Sequence, residues 1–386
     1  MNRIKRLPIL DFAIIAIGIA LAIAIRYSLL NFQSVDYAVY TRHWYTYIKA
    51  HGFSAFGQNF SNYNPPYLYL LYIVIRFFPD LPSLTATKLP SMIADFACAG
   101  LAYKIVNIKY SKSPLPMFAM FAILFAPTVV LNSAFWGQAD ALYTVALITC
   151  IYFLLIKRPA LAMLFFGVSI SFKAQGIFLL PLLFALLLRR EIPWKYLLIV
   201  PLIMFLFLVP AWLAGRSLID LLSTYPSQAG QYQQLSMHAP SLLSLIPNSG
   251  RFYPYFYPAG LILAITVGLL FSILIYKSQA KLTPSLVIEL SLISVMIMPF
   301  VLPKMLDRYF FPADVLSILF AFYFPSYYYI PIGMSIISFF AYQPTLFQVQ
   351  PVPINILAFG ILGLLVILII DGTNNLIIRR PNQEEI

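Results

Sequence analysis

Long apolar runs separated by short polar joints repeat along the whole chain. They fall near 8–30, 86–107, 114–132, 138–156, 159–172, 175–188, 195–213, 257–276, 284–302, 310–324, 327–341 and 353–371. A bilayer core asks for about 20 apolar residues per helix. The pattern therefore predicts an all-α polytopic membrane protein of about twelve transmembrane helices. Two of the runs are short and flank SFKAQG (171–176). The segment PPYLYLLYIVIRFFP (65–79) is apolar but short and Tyr-rich, which predicts an interfacial position. The stretch from Asn31 to Pro66 breaks the pattern, being polar and aromatic. Within it Tyr37, Tyr40, Trp44 and Tyr47 recur at three- and four-residue spacing. That spacing predicts an amphipathic helix over 36–50, lying on the membrane surface with its aromatic belt.

Composition agrees with the pattern. The chain is 61% hydrophobic and 10% charged, against about 25% charged in soluble domains. One transmembrane domain over 1–386 is expected. The net charge of +12 would suit a nucleic-acid partner, but the Lys and Arg lie mainly between apolar runs, as topology signals do. Fifteen of the 25 fall on one side of the predicted layout, which makes that side and both termini cytoplasmic. The start MNRIKR plus an apolar run is expected to be an uncleaved first helix. On the opposite side lie two large loops, 31–85 and 214–256. Arg42, Lys49, Lys88, Lys173, Arg216, Arg251, Lys304 and Arg308 also fall there, where topology gives no reason for cations. An anionic partner on that side would give one. Cys98 and Cys150 lie inside apolar runs, so neither a disulfide framework nor a CxxC metal site is expected.

The sequence has no GxSxG elbow, phosphate-binding P-loop or dinucleotide fingerprint. What it offers is an acid on one outer loop and cations on others. Asp36 is the candidate general base, or else the N-terminal cap of the helix that follows it. Lys304 and Arg308 are four apart and share a face if the segment is helical, which would suit a phosphate. Alternatively Arg308 pairs with Asp307 or Asp314, and Lys304 snorkels to lipid headgroups. Lys173, at a sharp turn between short spans, is a further candidate for substrate binding. So are Gln138 and Asp140 of WGQAD, and His238 and Arg251 of the second large loop. Asp140 could equally cap its helix, Trp136 reads as an interface anchor, and Asp95 as a structural partner within a span.

Five pieces carry a resemblance to a known class. They are the acidic first loop with Asp36, NYNPPYLYLL (62–71), FWGQAD (135–140), SFKAQGIFLLPLL (171–183) and LPKMLDRYFFPAD (302–314). As an ordered set they resemble the GT-C integral-membrane glycosyltransferases that use polyprenyl-phosphate sugars. Within the class the chain looks nearest to prokaryotic mannosyltransferases related to the second mannosyltransferase of GPI-anchor synthesis. The dolichyl-phosphate-glucose glucosyltransferases look more distant. The resemblance implies an inverting transferase, with Asp36 as base and Lys304 and Arg308 near the donor phosphate. It implies a polyprenyl-phosphate-linked donor, with mannose as the sugar, and a hydroxyl on a glycan or glycolipid as acceptor. It also implies a prokaryotic inner membrane with the site facing outward. Two departures stand out. Leu306, Asp307 and Arg308 replace a frequent His-Glu-Arg, and Ala38 replaces the second acid of an acid-x-acid pair. No metal ion and no cofactor are expected. The alternatives are a transporter or flippase of lipid-linked sugars, and an inactive scaffolding subunit.

Overall fold

The computed structural model describes residues 8–230, 233–248 and 250–377. Residues 1–7, with the basic start MNRIKR ahead of the expected first span, and residues 378–386 lie outside the described part. Seventeen α-helices follow in order among the described residues. The first part of the chain gives α1 (Pro8–Ser28), α2 (Arg42–His51), α3 (Pro65–Phe77), α4 (Ser83–Lys109), α5 (Leu115–Leu124) and α6 (Pro127–Val130). The middle gives α7 (Asp140–Leu155), α8 (Pro159–Phe172), α9 (Leu180–Leu188), α10 (Ile199–Leu213), α11 (Leu218–Leu222) and α12 (Thr224–Gly230). The last part gives α13 (Tyr253–Lys277), α14 (Pro284–Val301), α15 (Phe311–Tyr323), α16 (Tyr329–Phe347) and α17 (Ile354–Ile377). Proline opens many of these helices, for example Pro65, Pro127, Pro159 and Pro284. At that position its missing N–H would have had no partner and its fixed φ suits the helix.

Burial sorts the helices into layers. α7, α14 and α15 are buried nearly all round, as central helices are. α1, α10, α13 and α17 instead expose large apolar side chains such as Phe12, Leu206, Ile265 and Phe359. Apolar faces of that extent belong against lipid. Seven helices are long and apolar enough to cross a bilayer, or eight if the bent pair 115–124 plus 127–136 is one span. Four more of the twelve expected runs form shorter apolar helices, at Asp140–Leu155, Pro159–Phe172, Ala174–Leu188 and Phe311–Tyr323. The chain is an integral membrane protein, and the helices themselves match the apolar runs. Pro65–Phe77 is a further short apolar helix, with Tyr67, Leu68, Leu71, Val74 and Ile75 buried in the protein.

Three charges inside the bundle are explained by backbone and side-chain partners. The bent span turns 45° before Pro127, which cannot donate an N–H. Arg26 donates there to the Leu124 carbonyl at 3.0 Å and pairs with Asp95 at 2.9 Å, both side chains being fully buried. Asp95 also accepts from Ser133, so it is the structural partner expected of it. Lys88, expected to face an anion, instead donates to the carbonyls of Leu30 at 2.9 Å and Phe32 at 2.8 Å. It closes the open end of α1, where unpaired carbonyls concentrate negative partial charge. Arg216 and Lys49 likewise have local partners, Asp220 and the Pro79 carbonyl.

The helix expected over 36–50 is present as a π-helical turn, Tyr37–Thr41, running into α2. Its Trp44, Tyr45 and Ile48 are buried against the protein's own core and do not face outward as a membrane belt would. Trp44 packs on the rings of Tyr63 and Tyr67, with centroids 4.8 and 6.1 Å apart. Asp36 makes no capping bond; the Ser34 hydroxyl accepts from the Tyr37 N–H at 3.2 Å in its place.

Candidate active site

All five sequence pieces meet in one cleft. Its volume is about 300 Å³, at the lower end for small-molecule sites. Asp36, Tyr40 and Trp44 come from the first loop, and Asn62, Tyr63 and Tyr67 from NYNPPY. Gln138 comes from FWGQAD, Lys173 and Gln175 from SFKAQG, and Lys304 and Arg308 from the segment after α14. The second large loop adds Tyr225, Gln228 and Met237. Of the charged residues lining the cleft, three are cations and one is an anion, so an anionic ligand is favoured.

Asp36 is held by two donors on one oxygen. Trp136 Nε1 donates to Oδ2 at 2.9 Å and Gln138 Nε2 at 2.5 Å. Both donors address Oδ2, which leaves Oδ1 for an incoming hydroxyl. Trp136 and Gln138 can reach Asp36 because a π-helical turn, Leu131–Trp136, ends the bent span. Gly137 follows at φ +82°, a conformation open to glycine, and a Cβ there would sit 3.2 Å from the Lys88 chain. Trp136 is 1% exposed and is therefore no interface anchor.

Behind the cleft lies a second charged group. Asp140 is fully buried at the start of α7 and makes no capping bond. Its Oδ1 meets Lys173 Nζ at 2.5 Å, and its Oδ2 accepts from Asn132 at 3.0 Å and faces Arg308 Nε at 3.7 Å. Asp140 thus braces two cations that line the cleft, without lining it itself. Burial alone would lower the Lys173 ammonium, but Asp140 beside it holds its pKa above the ordinary value. Burial works against Arg308 too, and the carboxylates of Asp36, Asp307 and Asp140 raise its pKa despite it. The Arg308 guanidinium also stands over the Trp136 ring, 5.1 Å from its centre. Its side-chain hydrogen bond to Asp307 Oδ1 is long, at 3.5 Å, so most of its donors remain for a ligand. Asp314, the other suggested partner, instead accepts from Ser338 at 2.8 Å.

Lys304 and Arg308 do not share a helix. The segment forms β2 (Met305–Leu306), which pairs in parallel with β1 (Ser236–Met237). Lys304 takes φ +62°, and its N–H donates to the Leu235 carbonyl at 2.8 Å. The Lys304 ammonium lies over the Tyr257 and Tyr253 rings, 4.7 and 5.3 Å from their centres. A non-glycine residue in that backbone region is held by its surroundings, a frequent feature of binding sites. The two cations reach the cleft together through this pairing, and not through helical spacing.

The remaining candidates lie further out. His238 is exposed and has φ +58°. It sits beside Thr345, which in turn donates to Asp307, and it does not line the cleft. Arg251 is exposed in the turn before α13 and does not line it either. Asn62, Tyr63 and Asn64, the head of NYNPPYLYLL, and Gln228 belong to the site as well, although no individual role was expected of them. Asn64 joins two walls by donating to the Ser171 carbonyl at 2.7 Å and to Tyr225 at 3.2 Å. The signal was available in NYN, an amide-rich triplet at the head of an apolar helix. Among the described residues no group of three His, Cys, Asp or Glu side chains could hold a metal ion.

No family model matches the chain, and no curated protein sequence does. A solved structure does: ArnT from Cupriavidus metallidurans, bound to undecaprenyl phosphate. The TM-score is 0.57 at 14% identity, over 94% of this chain and 78% of that one. The fold is similar to that of ArnT. At this identity the likeness speaks for the architecture alone, and it agrees with the GT-C-type helical membrane bundle expected from the sequence.

Proposed function

We propose that the chain is an inverting glycosyltransferase that moves a sugar from a polyprenyl-phosphate donor to a hydroxyl acceptor. The observation that carries this reading is the meeting of Asp36 with Lys304 and Arg308 in one cleft. The likeness to ArnT, whose structure holds undecaprenyl phosphate, supports a lipid phosphate as the anion. The donor phosphate lies against Arg308 and Lys304, with its anomeric carbon toward Asp36. The acceptor oxygen attacks that carbon and forms the new C–O bond while its proton passes to Asp36 Oδ1. The bond from the anomeric carbon to the phosphate oxygen breaks, and its electron pair leaves with the polyprenyl phosphate. Charge grows on that phosphate in the transition state, where fixed cations in a dry site stabilise it most. Attack opposite the leaving phosphate inverts the anomeric centre.

We further infer that the sugar is mannose and that the site opens on the non-cytoplasmic face of a prokaryotic inner membrane. The motif resemblance and the excess of basic residues on the other side support these finer points. Incubating the detergent-purified protein with a panel of polyprenyl-phosphate sugars and glycan acceptors tests the proposal. Release of polyprenyl phosphate with an inverted glycosidic product is expected. Retention of configuration, or no release from any donor, would sink it.

One observation favours a second reading, a flippase for lipid-linked sugars. The bent span is the kind of broken helix that transporters use. Its break, however, is filled by the Arg26–Asp95 pair. Movement of donor across proteoliposomes without bond cleavage would favour the flippase.

A further inference from the structure

Beside the cleft runs a side groove of about 670 Å³. Tyr40, Trp44, Asn62 and Gln228 line both spaces, so the two adjoin. The groove is lined by His43, Asn59, Phe60 and Ser61 from the first loop and by Arg216, Asp220, Ser223, Thr224 and Ser227 from the second.

Its chemistry differs from that of the cleft. The charges of Arg216 and Asp220 cancel at 2.5 Å. Asn59 closes a ring with them, accepting from Arg216 at 3.0 Å and donating to Asp220 at 3.0 Å. The groove therefore presents no excess charge of the kind that favours a phosphate. What it presents is a mixture of amides and hydroxyls beside two half-buried aromatic side chains, Tyr40 and Phe60. Two of its residues carry buried oxygens with no hydrogen-bond partner among the described residues. They are Thr224 Oγ1, on a residue 7% exposed, and Asn62 Oδ1. Buried polar atoms without partners are costly and rare, and a small shift of the side chains that cover them would let a ligand hydroxyl supply the missing partner. A ligand with many hydroxyls, an apolar ring face and no charge fits this set.

We propose that the side groove binds the acceptor as a neutral saccharide. Its far residues lie over α11 and α12, and its reacting hydroxyl enters the cleft past Tyr40. Tyr40 is one helical turn beyond Asp36, so a hydroxyl at that threshold is within reach of the base. The inference rests on the transferase reading above. It adds that donor and acceptor enter by different routes, the donor phosphate on the cationic wall and the acceptor along the neutral one.

Photoprobes of neutral disaccharides (mannobiose, maltose, lactose) test this on the full-length protein in detergent, with labelled peptides mapped by mass spectrometry. Binding of undecaprenyl phosphate is measured on the same samples. Saturable labelling is expected within 40–62 and 216–230. Ser227 is exposed on the groove wall, so Ser227→Trp fills the groove and should cut labelling at least about tenfold, with lipid affinity unchanged. Thr224→Val removes one oxygen and should cut it about five-fold. Melting temperature identifies a misfolded Ser227→Trp, and Thr224→Val then carries the test alone. Labelling confined to the cationic wall, undiminished labelling in folded variants, or no saturable labelling overturns the proposal. If undecaprenyl phosphate fails to bind while the groove is labelled, the transferase reading falls and the saccharide site stands. If the lipid binds and the groove stays unlabelled, only the groove proposal falls.

Discussion

The indole N–H of Trp136 donates to the Asp36 carboxylate at 2.9 Å. The face of the same ring supports the Arg308 guanidinium, 5.1 Å from its centre. One side chain thus sets the positions of the proposed base and of the proposed phosphate cation. Trp136→Phe keeps a ring under Arg308 and removes the donor to Asp36. Turnover should fall about tenfold with donor affinity little changed, as for an oriented base losing one hydrogen bond. Asp36→Asn, by comparison, should lose about 100- to 10,000-fold in turnover while still binding polyprenyl phosphate. Single-turnover rates on both variants check this. Wild-type turnover in Trp136→Phe would reduce Trp136 to a packing residue.

Arg308 stands between three carboxylates and offers most of its donors to the cleft. Arg308→Gln should lower turnover more than it weakens donor binding, because phosphate charge grows in the transition state. Arg308→Lys should recover only part of the loss, since an ammonium cannot make the paired hydrogen bonds of a guanidinium. Donor affinity and single-turnover rate, measured together, decide. If Arg308→Gln lowers only the melting temperature, and neutralising Asp307 restores it, Arg308 is structural.

Asp307 gives a prediction in pH. Burial pushes its carboxyl up to about 6, although Arg308 and Thr345 pull the other way. The folded state therefore holds this proton up to a higher pH than the unfolded chain does. Stability contributed by the protonated group is present at low pH and is lost as pH rises from about 4 to about 6. Over that interval wild type should lose up to about 3 kcal/mol relative to Asp307→Asn. Melting curves of both proteins between pH 4 and pH 7 test this. A difference that is flat, or that moves in favour of wild type with rising pH, would refute it.

Lys88 is predicted to act on stability alone. Lys88→Met leaves the Leu30 and Phe32 carbonyls without their donor, which costs about 1–3 kcal/mol each when the group is buried. The melting temperature should fall, while transfer per folded molecule and lipid phosphate affinity stay near wild type. A loss of lipid affinity without a loss of stability would return Lys88 to the anion site.

Orientation in the membrane can be read with single cysteines. Cys98 and Cys150 are buried, so they add little background to labelling. A cysteine at exposed Ser54, in the turn that follows α2, should react with an impermeant maleimide applied to intact cells. One at exposed Lys112 should react only after permeabilisation. The reverse pattern would turn the cleft toward the cytoplasm.

The helices were legible in the sequence because apolar runs of that length have few other ways to satisfy their backbone in lipid. The convergence of Asp36, Gln138, Lys173, Lys304 and Arg308 was legible too, as a set of polar exceptions in an apolar chain. Their partners were not. Lys88 bonds to backbone carbonyls, which every residue carries and no residue type announces. Trp136 has the composition of an interface anchor, and only the π-helical turn before Gly137 directs its N–H at Asp36. Helical spacing suggested one face for Lys304 and Arg308, whereas pairing with a strand about seventy residues earlier sets their backbone. The side groove was hidden because its Asn, Ser and Thr residues are common loop residues, and only packing makes two of their oxygens partnerless.

The pairing of Ser236–Met237 with Met305–Leu306 is only two residues long on each side, yet it has a consequence for how such a protein can be rebuilt. It makes the segment bearing Lys304 and the second large loop a single interchangeable part. A chimera that imports one of them from another protein of this fold inherits a mismatched seam at Leu235 and Lys304. Recombination, in the laboratory or in a genome, works cleanly here only when both stretches travel together, however far apart they are written in the gene.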